Sequence, residues 1–153
     1  MGKIYYPTDK VKKVESVFLG GTIDMGNSTD WQAQIIEALK NEEVNIFNPR
    51  RTNWDSSWEQ EESNPEFNHQ VNWELSCLEK ADLIIIYFAP NSQSPITLLE
   101  TGIFHKMNMI VCCPKGFYRK GNIDILCTRY KVPKVETVEA LIDYVKTELK
   151  QQI

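Results

Sequence analysis

The chain has no long hydrophobic run. Its longest apolar stretch, residues 83–90, falls well short of the ~20 residues that a membrane-spanning helix needs. The first nine residues hold no apolar segment followed by small residues, so no secretory signal is expected there. Histidine is scarce: His69 and His105 are the only two, and neither stands at ligand spacing from a cysteine. The four cysteines, Cys77, Cys112, Cys113 and Cys127, include no Cys-x-x-Cys pair. Adjacent Cys112 and Cys113 fall in an apparent strand and would point to opposite faces. A zinc site is therefore not supported, and free buried thiols in a reducing, cytoplasmic compartment are expected. Positive charge is not in excess either. Seventeen Lys and Arg stand against 21 Asp and Glu, a net charge of −4. That weighs against a nucleic-acid polymer as partner and leaves a small anionic ligand open. Neither Gly-x-Gly-x-x-Gly nor a Walker lysine is present, which excludes the common dinucleotide and triphosphate loops.

What is there suits one globular domain. The chain has 153 residues, 42% of them apolar and 25% charged. A polar lead-in, residues 1–13, precedes a single domain expected over residues 14–153. Residues 14–19 form a β-rich run that ends at Gly20-Gly21. Asp30 can cap a helix whose apolar positions Trp31, Ile35 and Leu39 recur every four residues. Residues 44–47 read as a short strand, and 49–65 as a long loop carrying Arg50, Arg51, Trp54 and Trp58. Phe67, Val71, Leu75 and Leu78 mark one face of a helix over 66–80. Residues 83–88 are a continuous apolar strand of the kind found at the centre of a parallel sheet. Ser94-Pro95 starts a helix that runs to about Met107, with Ser as cap and Pro at the first position. Residues 109–113 form another strand, 114–126 a loop, and 127–131 a last short strand. Val138, Leu141, Ile142, Val145 and Leu149 mark a final amphipathic helix. The alternation predicts a doubly wound α/β fold: a mainly parallel, five-stranded sheet with helices on both faces. Ligands of such sheets bind beyond the carboxyl ends of the strands. The loops there, with the helix starts that follow them, are the candidate site.

Several residues in these places carry chemistry. Gly20 and Gly21 let backbone N–H groups approach a ligand, or simply make a turn. Ile96, Leu99 and Ile103 predict the buried side of the helix after Ser94. Glu100 lies beside that stripe, either as a half-exposed helix carboxylate or as a reactive group aimed at the top of the sheet. Gly102, two residues on, costs about 1 kcal/mol of helix propensity relative to Ala and leaves room for a close approach. Glu74 sits on the apolar face of its own helix, where a carboxylate must find a partner or see its pKa rise. Two carboxylates near strand ends fit glycosyl transfer, one as nucleophile and one handling the leaving group; ordinary salt bridging is the alternative. Arg50-Arg51 and the segment Phe117-Tyr118-Arg119-Lys120-Gly121-Asn122 can hold a phosphate or stand solvated in loops. Trp31, Trp54, Trp58 and Trp73 can stack on a planar base, although at least two of the four are expected in the core.

Together these pieces resemble the nucleoside 2-deoxyribosyltransferase family, in its deoxyribosyltransferase-like branch. The resemblance runs from Val17 to about Arg129. It is carried by Phe18-Leu19-Gly20-Gly21-Thr22-Ile23, Asp30-Trp31-Gln32, Asn48-Pro49-Arg50-Arg51 and Phe67-Asn68-His69-Gln70-Val71-Asn72-Trp73-Glu74-Leu75. It continues in Ser94-Pro95-Ile96-Thr97-Leu98-Leu99-Glu100-Thr101-Gly102 and in Gly116-Phe117-Tyr118-Arg119-Lys120-Gly121-Asn122. The resemblance implies a flavodoxin-like fold and a homo-oligomer with shared active sites. It implies a catalytic Glu in a Glu-x-Gly motif, here Glu100, and an acidic residue that contacts the nucleobase, here Glu74. It implies an Asn that reaches a neighbouring subunit's sugar site, here Asn122. Phe18, Gly20, Gly21, Asp30, Trp31, Arg50 and Ser94 complete the set expected to bind substrate. The family's carboxylate six residues before the nucleophile, which binds the sugar 5′-hydroxyl, is replaced here by Ser94.

The implied reaction is base exchange on 2′-deoxynucleosides through a covalent glycosyl-Glu100 intermediate, with retention. The expected partners are a 2′-deoxynucleoside and a free nucleobase, with no metal or organic cofactor and no membrane. Two alternatives accompany it. One is an N-glycosidase acting on deoxynucleosides or their 5′-monophosphates, since Ser94 does not repel a phosphate as a carboxylate would. The other is a nucleotide-binding module without catalysis.

Overall fold

The computed structural model describes residues 14–22, 30–50, 57 and 59–151. The lead-in 1–13, with Ile23, Arg51, Trp54 and Trp58, lies outside them. The elements run β1 (Ser16–Gly21), α1 (Trp31–Ala38), β2 (Asn45–Phe47), α2 (Pro65–Lys80), β3 (Leu83–Tyr87), α3 (Pro95–Phe104), β4 (Met109–Cys112), α4 (Lys120–Tyr130), β5 (Lys134–Val135) and α5 (Val138–Lys150). The five strands form one sheet in the order β2-β1-β3-β4-β5, and every neighbouring pair is parallel. This is the flavodoxin-like doubly wound arrangement, whose strand order reverses between β1 and β3.

Right-handed crossovers put α2, α3 and α4 on one face and α1 and α5 on the other. Side chains alternate along each strand, so β1 and β3 feed two cores. Phe18, Ile84 and Ile86 pack with Leu78, Phe104, Ile123 and Cys127. Val17, Leu19 and Ile85 pack with Trp31, Ile35, Leu141 and Val145. The apolar run of β3 is buried on both faces, as a central parallel strand requires. All four cysteines are free and buried. Asp82 ties β3 to β1: one carboxylate oxygen accepts from the backbone N–H groups of Glu15 and Ser16, each at 3.0 Å. No helix among the described residues is long and apolar enough to cross a membrane.

Two expectations are corrected. The segment 114–126 is not all loop, and 127–131 is not a strand. Residues 120–130 form α4 despite Gly121, Asn122 and Asp124, because Ile123 and Cys127, one turn apart, are both buried against the sheet. Lys120 and Asp124 pair along the helix at 3.1 Å. Lys131 ends it in the left-handed region, at φ 57°. The last strand is instead Lys134–Val135, too short to show a pattern in the sequence.

The second correction concerns α3, whose buried side is not Ile96, Leu99 and Ile103. Those three are 61%, 58% and 56% exposed. The helix turns Thr97, Glu100, Thr101 and Phe104 inward instead. Thr101 can be buried because its hydroxyl donates to the carbonyl of Thr97 at 2.7 Å and needs no outside partner.

Candidate active site

The carboxyl ends of β1 and β3 meet where the strand order reverses. Gly21 closes β1 at φ +147°, and a side chain there would run into the Tyr87 backbone and the Trp31 ring. Glycine is required at this position by neighbouring protein atoms. At Gly20 a Cβ would lie 2.8 Å from Ile86 Cδ1, the end of a side chain that can shift.

Thr22 follows and is buried. Its N–H donates to the Tyr87 carbonyl at 2.9 Å, and its hydroxyl oxygen accepts from Ala89 N–H at 2.9 Å. Thr22 Oγ1 also lies 2.6 Å from Ser94 Oγ and 3.3 Å from Ser92 Oγ. Ser92 and Ser94 are 3.0 Å apart. Three hydroxyls thus join the end of β1 to the loop before α3. Ser94 occupies the cap position of α3, with Pro95 following it. Its side chain makes no capping bond, and its backbone is left-handed, at φ 48°. The expected Ser cap is replaced by the hydroxyl cluster, because that φ turns the side chain toward Thr22.

Glu100 stands on the inward side of α3, with 7% of its surface exposed. Burial pushes its carboxyl up to about 7. Glu74, on α2, is pushed up to about 8, chiefly by burial and then by the charge of Glu100, while a hydrogen bond from Gln70 acts the other way. The two carboxyls therefore share one weakly solvated region and repel one another. Folding brings them together from helices on the same side of the sheet.

Next to them lies the loop after β2. Arg50 pairs with Asp30 (3.7 Å) and donates to Gln32 Oε1 (3.4 Å). Asp30 caps α1, as expected, by accepting from Ala33 N–H at 3.0 Å. Gln32 is buried, and its Nε2 has no hydrogen-bond partner among the described residues. Gln70 donates to the Pro49 carbonyl at 3.2 Å.

Other expected site residues are placed elsewhere. Phe18 is a core side chain, folded beneath Gly20. Trp31 is 1% exposed, donates its indole N–H to the Thr22 carbonyl at 2.9 Å, and packs on the Tyr87 ring. The Phe18 and Trp31 rings are each 1% exposed, so neither offers a face for stacking on a base. Trp73 is partly buried against the other core. Asn122 is exposed in the first turn of α4, and not in a loop. Thr22, Ser92, Gln32 and Gln70 stand in motif segments without a local signal that marks each as a site residue. Of these, Gln70 alone has a spacing signal, four residues before Glu74 on one helix face.

Parallel strands in this order define a flavodoxin-like protein, with Glu100 buried and Glu74 half-buried on helices of one face of its sheet. The chain belongs to the nucleoside 2-deoxyribosyltransferase-like family, whose model matches residues 14–117. Its fold is similar to that of a conserved protein from Enterococcus faecalis V583, known from a crystal structure. That likeness has a TM-score of 0.61 at 11% identity and covers 89% of this chain and 99% of the other. No curated protein matches the sequence.

Proposed function

We propose that this protein transfers 2-deoxyribose between nucleobases. The observation that carries this reading is the coupled pair Glu100 and Glu74. Both carboxyls are raised, and Glu74 is raised further. Near neutral pH the coupled pair can hold one proton between them, and in this reading Glu74 carries it while Glu100 ionises. Ionised Glu100 attacks the anomeric carbon of the deoxynucleoside, and the bond to the base breaks with its electron pair going to the base. Protonated Glu74 gives its proton to the departing base. The transition state has oxocarbenium character, which the missing 2′-hydroxyl favours by removing an electron-withdrawing group. A second base attacks the glycosyl-Glu100 ester from the face the first one left, and its proton returns to Glu74. Configuration is retained.

A second reading is hydrolysis, with water as the attacking group and a 5′-monophosphate as substrate. The Thr22–Ser92–Ser94 cluster favours it, since three hydroxyls in place of a carboxylate do not repel a phosphate. Incubation with thymidine, with and without adenine, tests both. Thymine and deoxyadenosine formed only when adenine is present support transfer. Thymine or thymidine monophosphate turnover without an acceptor supports hydrolysis. Tight nucleotide binding with no product from either substrate overturns both in favour of a binding module.

The exposed stripe of α3 supports a homo-oligomer. Ile96, Leu99 and Ile103 lie on the same helix as Glu100, and Ile125 and Tyr130 of α4 are exposed on that side of the sheet. Apolar side chains gathered in this way mark an interaction surface. Around Gly102, in the same stripe, a Cβ would meet open space within the chain. A second copy resting on this face brings its own atoms close to the helix that carries Glu100. Sedimentation of the wild-type protein should show a dimer or larger, and Leu99→Glu should shift it to monomer. A wild-type monomer at tens of micromolar would end this proposal.

A further inference from the structure

We infer that Gln32 is a specificity-determining residue whose side-chain NH2 group donates to an exocyclic oxygen of the nucleobase. The inference rests on the proposed reaction, since it names the class of base that the reaction takes. Gln32 is the second residue of α1 and has 0% of its surface exposed. Its Oε1 accepts from Arg50 Nη1 at 3.4 Å. A guanidinium only donates, so the amide turns its oxygen toward Arg50 and its NH2 group away. Among the described residues Nε2 has no hydrogen-bond partner, and it is shut off from solvent. A buried donor left unmade costs stability, and methionine would fill much the same volume without that cost. A partner that arrives with the ligand accounts for such a group.

Its place in the fold agrees. α1 follows β1, so it begins at the carboxyl end of the sheet, where ligands of this fold bind. The helix start is fastened there: Trp31 donates to the Thr22 carbonyl at 2.9 Å, and Asp30 caps the first turn. The loop after β2 joins this helix start to α2, the helix of Glu74. Arg50 makes the link on one side, and the 3.2 Å bond from Gln70 to the Pro49 carbonyl makes it on the other. The surroundings select a neutral acceptor. A phosphate would surrender its hydration for one neutral donor, and the Asp30 carboxylate, 3.7 Å from Arg50 Nε, would repel it. A carbonyl oxygen carries no charge and loses less. An amino group in its place would set donor against donor and leave both unmade. Bases with an oxo group are therefore expected to be preferred over their amino counterparts. The side chains that enclose Nε2 must give way for the base to reach it.

Hypoxanthine and adenine provide the test, because they share a ring system and differ by an oxygen or an amino group on one ring carbon. Titration calorimetry of the whole protein should show hypoxanthine bound about tenfold more tightly than adenine, or better. Gln32→Met keeps the volume, removes the donor and should abolish the preference. Gln32→Glu is the second variant should the first unfold. It keeps an oxygen for Arg50, puts an acceptor where the donor stood, and should reverse the preference toward adenine. Equal binding of the two bases by wild type, binding of neither, or a preference unchanged in a folded variant overturns the contact. Where deoxynucleosides are still consumed, that result removes the Gln32 assignment and leaves the transferase reading standing. A preference lost in the variant of a protein that consumes no deoxynucleoside upholds the contact and removes the transferase reading instead.

Discussion

Glu100→Gln is expected to lower kcat by about 10⁴-fold or more while the protein remains folded. Glutamine keeps the shape of the side chain and removes the nucleophile. The substitution should not harm the fold, because burial already disfavours the charge at this position. Thr97, Thr101 and Phe104 on the same face still pack inward. Chromatographic assay of base exchange measures the loss, and thermal unfolding checks the fold. Activity within tenfold of wild type would exclude Glu100 as the nucleophile. A variant that no longer folds would say that the carboxylate is structural.

Glu74→Gln should act in opposite directions on activity and stability. Losing the group that protonates the base is expected to cost about 10²–10⁴-fold in turnover. Stability should rise in alkaline solution. The folded protein holds the Glu74 proton up to about pH 8, while an ordinary carboxyl releases it near 4.5. Over that window the folded state binds more protons than the unfolded one, so each step up in pH favours unfolding. Below 4.5 both states are protonated and the group contributes no difference. Glutamine removes this dependence. The variant should match wild type near pH 4.5 and exceed it at pH 8 by about 2 kcal/mol, allowing for the solvent that still reaches Glu74. That is a rise of roughly 5 °C in Tm for a chain of this size. Equal melting curves at pH 8 would contradict the burial of this carboxyl. The same pair sets the pH profile of the wild type. In the proposed reaction the pair works with one proton shared between the two carboxyls, so activity should be bell-shaped around neutrality and fall on both sides.

The hydroxyl cluster bears on the choice between transfer and hydrolysis. Thr22 is buried and tied to Tyr87 and Ala89, which locks Ser94 beside it. In the proposed reaction a rigid neutral group at this position would take a sugar 5′-hydroxyl or a 5′-phosphate with little rearrangement. On that reading, the preference between nucleoside and nucleotide is expected to follow the surroundings of these hydroxyls more than the carboxyl pair.

Much of this was legible in residue order alone. The alternation of strands with periodic helices specified a parallel α/β sheet, because apolar spacing of two or four residues is a local signal. The eight-residue apolar run placed the central strand. Asp30 announced the cap of α1, since a short acidic side chain before a periodic segment has few other uses. Glu74 and Glu100 stood out as carboxylates on or beside apolar faces. Other features were decided by tertiary structure. Periodicity marks a stripe on α3 without saying which side the sheet covers, so Ile96, Leu99 and Ile103 read as core and proved exposed. Ile123 and Cys127 formed a helix against weak local propensity because the sheet offered them burial. Phe18 and Trp31 sit in motifs near the ligand region, yet packing encloses them. The raised carboxyls depend on desolvation by residues far away in the chain, and the Thr22–Ser94 contact spans 72 positions. Such effects arise only when distant segments meet, which is why the sequence named the chemical groups and the fold determined their state.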